Sequence, residues 1–524
     1  MDGRGDSTDG TKDRMDGMKE EKVWFLPFTW KECTVFFPIV IIFAIVAYVY
    51  ATVRGLKDVF MINRLSSGSI YCAKVTVLFF VVFLTYLYTK IAKSVDRKAR
   101  FNIVVGFFLV FFLLVRFIIL PYSDDLRWDA AYQCLHSISG RFDAWWQLVQ
   151  NWHFCLLYNM SEAWGVFVMN VLFWSFANAI ISSKRAKTWY FYFFIGAALG
   201  TMLAGEFMRL FKENRIFQYD FVIFLIVVLL FVYNIFEGYL SRNPDLCEQQ
   251  VGPKKRKAKL SFFDSVKFLI GSKYLRMISY IVFGYYTFIA LIESVWKGLI
   301  GEYKSSLVAD FISSHEASVE EQGLMEVTKM AKKFAEDNVN DLYGIQSLSV
   351  GLLQLFLVIF VAGFVSKRSW KFIALFTPVA SVTLSGVFFL FLKSSDAIEY
   401  ILRDFNMSVE KFIVLVGLAI VVFVKTAKYV FFDTSKERAY IPLDEESKVN
   451  GKAAIDATGS RLGKGFASII ISFVLIPVFG DLVAAQNVTF ILISTSLGVW
   501  LYAVVTLSPE YEKKVLEAES QKRE

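Results

Sequence analysis

Residues 344–365 read GIQSLSVGLLQLFLVIFVAGFV, residues 366–370 read SKRSW, and residues 371–392 read KFIALFTPVASVTLSGVFFLFL. The first run holds no charge, and the second holds only Lys371 at its edge. At 1.5 Å per residue each run predicts a helix of about 33 Å, long enough to cross the hydrocarbon core of a bilayer. The link between them carries Lys367 and Arg368, the type of charge retained on the cytoplasmic side of a membrane.

Outward from this hairpin the pattern repeats. Spans are predicted near 35–53, 70–90, 101–120, 162–182, 188–206, 217–240, 275–297, 344–365, 371–392, 411–432, 465–484 and 488–506. The composition agrees, with 56% apolar and 20% charged residues, against about half and a quarter in soluble domains. The net charge of +8 does not point to nucleic acid, because the basic residues sit in short links. Lys90, Lys93, Arg97, Lys98 and Arg100 follow the second span, Lys184, Arg185 and Lys187 the fourth, and Lys254–Lys257 and Lys259 the sixth. With Lys367, Arg368 and Lys371 after the eighth, the even-numbered links are basic, which predicts cytoplasmic termini.

The longest basic link falls halfway along the chain. The expected organisation is a disordered cytoplasmic tail over 1–34, a six-helix bundle over 35–240, a basic linker over 241–274, a second six-helix bundle over 275–506 and a cytoplasmic tail over 507–524. The fold class is therefore an all-α polytopic membrane protein of about twelve transmembrane helices in two bundles. This layout resembles that of major-facilitator transporters, whose halves rock about a site near the midplane. The two halves show no residue-level repeat, and no short filter loop between spans suggests a channel. The stretch 1–22 is acidic and polar, unlike a signal or transit peptide.

A charge inside a span is costly and is by default a functional candidate. The first span runs out through Arg54-Gly55-Leu56-Lys57-Asp58, whose charged residues share one helical face. Lys74 starts the second span, Glu162 opens the fourth, Glu206 closes the fifth and Asp220 sits in the sixth. Glu293 lies one turn before Lys297 in the seventh, and Lys425 and Lys428 lie one turn apart in the tenth. Each has a bland reading: Lys74, Glu206, Asp220 and Lys297 reach the interface, and Lys425 and Lys428 form internal ion pairs. Together these groups suit a polyanionic solute, since each phosphate charge that loses water needs a partner. Tyr286, near Glu293, is a candidate for stacking on a base.

Other chemistry is not indicated. Gly459-Ser460-Arg461-Leu462-Gly463-Lys464-Gly465 looks like a phosphate loop, but it has three residues between its first glycines where four are needed, and Gly465 stands where Ser or Thr holds magnesium. No nucleophile–base pair or dinucleotide turn appears, so no enzyme and no cofactor is expected. Three histidines and five scattered cysteines predict no metal site. Cys134 and Cys155 fall in one predicted external loop, read as free thiols rather than a pair.

Several stretches resemble the nucleotide transporter family of obligate intracellular bacteria, plastids and microsporidia, the ATP/ADP translocase type. The longest is Lys436-Glu437-Arg438-Ala439-Tyr440-Ile441-Pro442-Leu443-Asp444-Glu445-Glu446-Ser447-Lys448, continuing through Gly451-Lys452-Ala453-Ala454-Ile455-Asp456 to Gly463-Lys464. Ser161-Glu162-Ala163-Trp164-Gly165 with Leu172–Asn178, Ile292-Glu293-Ser294-Val295-Trp296-Lys297, and Leu56-Lys57-Asp58 also match. The acidic, helix-like stretch Glu302–Asp341 departs from the family, and is expected to be external and dispensable for binding. The resemblance implies import of host ATP, usually against ADP and sometimes with other purine nucleotides such as GTP and GDP, by a monomer needing only the lipid bilayer. It implies the plasma membrane of an intracellular parasite, of microsporidian type, or the membrane of a reduced mitochondrial organelle. Its motif positions make Lys57, Glu162, Glu293 and Lys452 the residues expected to carry transport, with Arg54, Lys425, Lys428 and Tyr286 beside them. The alternatives are a carrier of phosphate, sugar phosphate or amino acid on the same fold, or a non-transporting membrane protein such as a lipid scramblase.

Overall fold

A computed structural model of the chain describes residues 30–181, 183–243, 271–316, 323–405, 407–444 and 460–520, with Leu246, Leu269, Gly451 and Ile455. Twelve helices in it are long and apolar enough to cross a membrane. They are α1 Glu32–Arg64, α2 Ser69–Ser94, α3 Arg97–Ile119, α4 Trp152–Ile180, α5 Tyr192–Leu210, α6 Arg215–Arg242, α7 Lys273–Ser314, α8 Leu324–Val361, α9 Trp370–Lys393, α10 Val409–Tyr440, α11 Leu462–Phe479 and α12 Gln486–Glu517. Their starts follow local chemistry. Asp96, Asn214, Ser272, Ser369 and Ser408 each accept a bond from the backbone N–H three residues on, capping α3, α6, α7, α9 and α10. Large apolar side chains such as Phe79, Phe231 and Phe360 point outward, as lipid-facing residues must.

The repeat that is silent in the sequence is present in the packing. α1 packs on α4, α5 and α6, and α7 packs on α10, α11 and α12. Likewise α2–α4 and α3–α6 in one bundle correspond to α8–α10 and α9–α12 in the other. Between the bundles α5 lies on α8 and α2 on α11. The α5–α8 seam is a backbone contact. A Cβ on Gly205 of α5 would stand 2.1 Å from the Leu348 nitrogen of α8, so only glycine fits there.

Call the end at which α1 begins the near end. The far end is closed across the two bundles. Arg215 of α6 forks onto Glu336 at 2.7 Å and Asp337 at 3.2 Å of α8. Lys304 of α7 donates to the carbonyls of Ile62 and Asn63, supplying the last turn of α1 with a donor it lacks. Trp145, in a short helix between α3 and α4, donates to the Ser472 carbonyl of α11.

Several helices are longer than the apolar runs suggested. α1 continues to Arg64, so Arg54–Asp58 lie inside it and not at its exit. α4 starts at Trp152, ten residues before the predicted edge, and takes up Cys155; Cys134 is outside it, and both thiols are free. Among its described residues, the Glu302–Asp341 stretch contains the helical continuation of α7 to Ser314 and the first half of α8 from Leu324.

Candidate functional site

Halfway along the bundle, charged side chains from five spans meet. Glu293 of α7, almost wholly buried, receives Lys425 of α10 at 2.7 Å, Lys74 of α2 at 3.6 Å and Arg54 of α1 at 3.7 Å. One helical turn farther, Asp58 of α1 lies between Lys297 of α7 at 2.7 Å and its neighbour Lys57 at 2.9 Å. Lys57 also reaches Glu162 of α4 at 3.0 Å and sits 3.7 Å from the centre of the Tyr158 ring. Buried ions are tolerated only when paired in this way.

The pairs across α1 and α7 form two rungs of opposite polarity. Arg54 meets Glu293, and four residues on Asp58 meets Lys297. The four-residue spacing on each helix puts both rungs on one face. α4 and α10, equivalent in the packing repeat, share a second feature: each turns π-helical three residues after its charged member, at Gly165 after Glu162 and at Lys428 after Lys425. A π turn inside a membrane helix often marks a functional position.

Lys428 is held by Asp433 at 2.6 Å. Lys464, near the start of α11, is exposed, lies 5.2 Å from the Tyr286 ring centre, and stands within electrostatic reach of Arg54, Glu162, Glu293 and Lys428. Counting these described groups, seven cations (Arg54, Lys57, Lys74, Lys297, Lys425, Lys428, Lys464) face four carboxylates (Asp58, Glu162, Glu293, Asp433), an excess of three positive charges. Arg54, with over a third of its side chain exposed, and Lys464 are the most accessible cations of the group.

Of the residues singled out in the sequence, Lys57, Glu162, Glu293, Arg54 and Lys425 come together directly, and Lys428 and Tyr286 flank them. Lys452 lies outside the described residues. Two readings need correction. Lys297 is not interfacial: α7 runs on to Ser314, which leaves Lys297 buried on Asp58. Lys74 does not snorkel but turns inward over the Tyr71 ring toward Glu293. Asp220, five residues into α6 and with 42% of its side chain exposed, stays near a helix end and pairs with Arg116 of α3 at 2.6 Å. Lys464 was missed as a site residue. Its signals were its place at the end of the longest family-like stretch and as the last cation before the apolar run of α11.

The model of the TLC ATP/ADP transporter family matches residues 12–330 and 323–511. The chain belongs to this family. Among its TLC-type relatives, ADP,ATP carrier protein 1 of Rickettsia prowazekii (strain Madrid E) is 28% identical over 498 residues, covering 91% of this chain and 93% of the relative. ADP,ATP carrier protein 3 of the same organism is 26% identical over 523 residues, covering 94% and 97%. Among solved structures, the nucleoside transporter NupG superposes with a TM-score of 0.54 over 91% of this chain and 99% of that one, at 11% identity. That likeness is one of fold alone. This TLC family member is thus a multi-pass membrane transporter of nucleotides on a major-facilitator-like fold. Carriage of other metabolites and lipid scrambling are not favoured.

Proposed function

We propose that the protein imports ATP in exchange for ADP by alternating access, with GTP and GDP as further solutes, and acts as a monomer that does no chemistry on its cargo. The supporting observation is the convergence of Arg54, Lys74 and Lys425 on the single carboxylate of Glu293. Glu293 acts as a resident anion, standing in for phosphate while the site is empty. An incoming phosphate chain first meets Arg54 and Lys464, then takes Lys425 and Lys74 from Glu293. Lysines serve here as compact point charges and Arg54 as a planar fork. Exchange follows from the balance of charge: a site with surplus cations and no solute carries uncompensated charge through the closed state, which a low-dielectric interior disfavours.

The termini lie in the cytoplasm in this reading, so the near end is cytoplasmic and the far end external. The far-end closure then corresponds to an inward-facing state. The chain resides in the plasma membrane of an intracellular parasite and draws on the host cytoplasm. Proteoliposomes loaded with ADP test the transport claim. Labelled ATP should enter them and should not enter empty vesicles. Equal entry into both would remove the exchange claim, and no entry would remove ATP as the solute.

A further inference from the structure

The rings beside the cations carry a second inference, which rests on the nucleotide reading above. Tyr50 precedes Arg54 by four residues on α1, and Tyr429 follows Lys425 by four residues on α10. α1 runs away from the near end and α10 runs toward it, so both tyrosines stand one turn nearer that end than their cations. Those two cations are joined through Glu293. The result is a cation layer with an aromatic layer beneath it, one wall from each bundle.

Each ring already carries a cation: Arg54 stands over Tyr50, and Lys428 stands over Tyr429 at 4.7 Å from its centre. Tyr50 packs on Gly165 at the head of the π turn of α4, where a Cβ would meet the ring atom Cε2 at 2.4 Å, and the Arg54 guanidinium stands 5.8 Å from its centre. Tyr429 belongs to the π turn Lys428–Phe432 and packs on Phe194 of α5 across the seam, with ring centres 6.4 Å apart. Tyr50 is half-buried, Tyr429 is 38% exposed, and the two groups lie within electrostatic reach of each other. Neither hydroxyl has a hydrogen-bond partner among those described, so each has a polar tip to offer as well as a ring face.

We propose that Tyr50 and Tyr429 form the nucleobase subsite, stacking on a purine whose phosphates reach the Arg54–Lys425 layer. Four residues of helix rise about 6 Å along the axis, a distance the ribose of a nucleotide bridges. Stacking is tolerant of base identity, because every base offers a π face. The subsite therefore selects nucleotides over bare polyphosphates while accepting more than one purine. Because its walls belong to different bundles, a bound base also ties α1 to α10.

The test compares two probes in proteoliposomes of wild type, Tyr50→Ala, Tyr429→Ala and the Phe variants. The half-saturation concentration for ATP uptake should rise tenfold or more in each Ala variant and stay within threefold in each Phe variant. Inhibition by inorganic tripolyphosphate, which has no base, should stay within twofold throughout. An unchanged ATP value in the Ala variants overturns the proposal, as does an equal loss for ATP and tripolyphosphate. Should an Ala variant fail to insert, Tyr50→Leu and Tyr429→Leu keep the bulk without the π face and should behave as the Ala variants do. Wild-type protein that takes up no ATP at all would instead sink the nucleotide exchange reading.

Discussion

Lys57 is already engaged before any solute arrives: Asp58 and Glu162 hold its ammonium, and only 1% of its side chain is exposed. Removing it takes one of two cations from buried Asp58, which keeps Lys297, and the 3.0 Å partner from the partly exposed Glu162. Lys57→Ala should lower ATP uptake more than tenfold at equal surface expression, with Lys57→Arg in between. Adding Glu162→Gln to Lys57→Ala should recover part of the loss, because it removes one stranded charge. Uptake assays on the three variants decide between roles. Normal uptake in Lys57→Ala removes the residue from the site, and no recovery in the double variant assigns it directly to the phosphates. The sequence showed this residue clearly, through a cation deep in an apolar helix. It left the partner open between Glu162 and Glu293, because each is over a hundred positions away and Glu162 reads as the opening residue of its span. The polar residues Asn151, His153 and Asn159 lower the apolar signal ahead of it, although α4 includes His153 and Asn159.

Helix length was the property least legible from composition. α7 runs 42 residues, and its apolar run ends near Lys297 because charged and polar residues follow in the sequence, while the helix itself continues to Ser314 as a polar strut beside α8. The rung Asp58–Lys297 therefore stayed hidden, as did the closure by Lys304 and Arg215. This rung can be measured as a double-mutant cycle. Asp58→Asn leaves Lys297 without its carboxylate and Lys297→Met leaves Asp58 with Lys57 alone, and combining them should lose less stability than the sum by about 1–3 kcal/mol. Thermal unfolding in detergent reads the coupling, and strict additivity would remove the rung. The strut makes a separate prediction. Deleting 308–328 spares Lys304 on one side and Glu336 and Asp337 on the other, so ATP half-saturation should stay within threefold. A tenfold loss in inserted protein would give the strut a part in binding.

At the scale of the whole molecule, twelve spans and two halves were readable because lipid demands long apolar runs and short charged links. The internal repeat was not readable, because it lives in which helix touches which, and many side chains satisfy one packing arrangement. Even polarity is reversed between the halves: Arg54 and Asp58 correspond in place to Glu293 and Lys297. Orientation is checked by cysteine labelling in the Lys254–Lys259 link, which should fail in intact cells and succeed after permeabilisation. Labelling without permeabilisation would invert the topology.

The contact at Gly205 has a mechanical corollary. Where two helices touch backbone to backbone they have no side-chain cushion to compress, so they act as the pivot of a clamshell and not as one of its lips. Displacement then grows with the lever arm measured from α5 and α8, and is greatest along α2 and α11 on the opposite flank. Spin labels spanning α2 and α11 should report a wider spread of distances on adding nucleotide than labels spanning α5 and α8. A transporter built this way opens on one side more than the other, and its solute would enter obliquely, from the flank of α2 and α11.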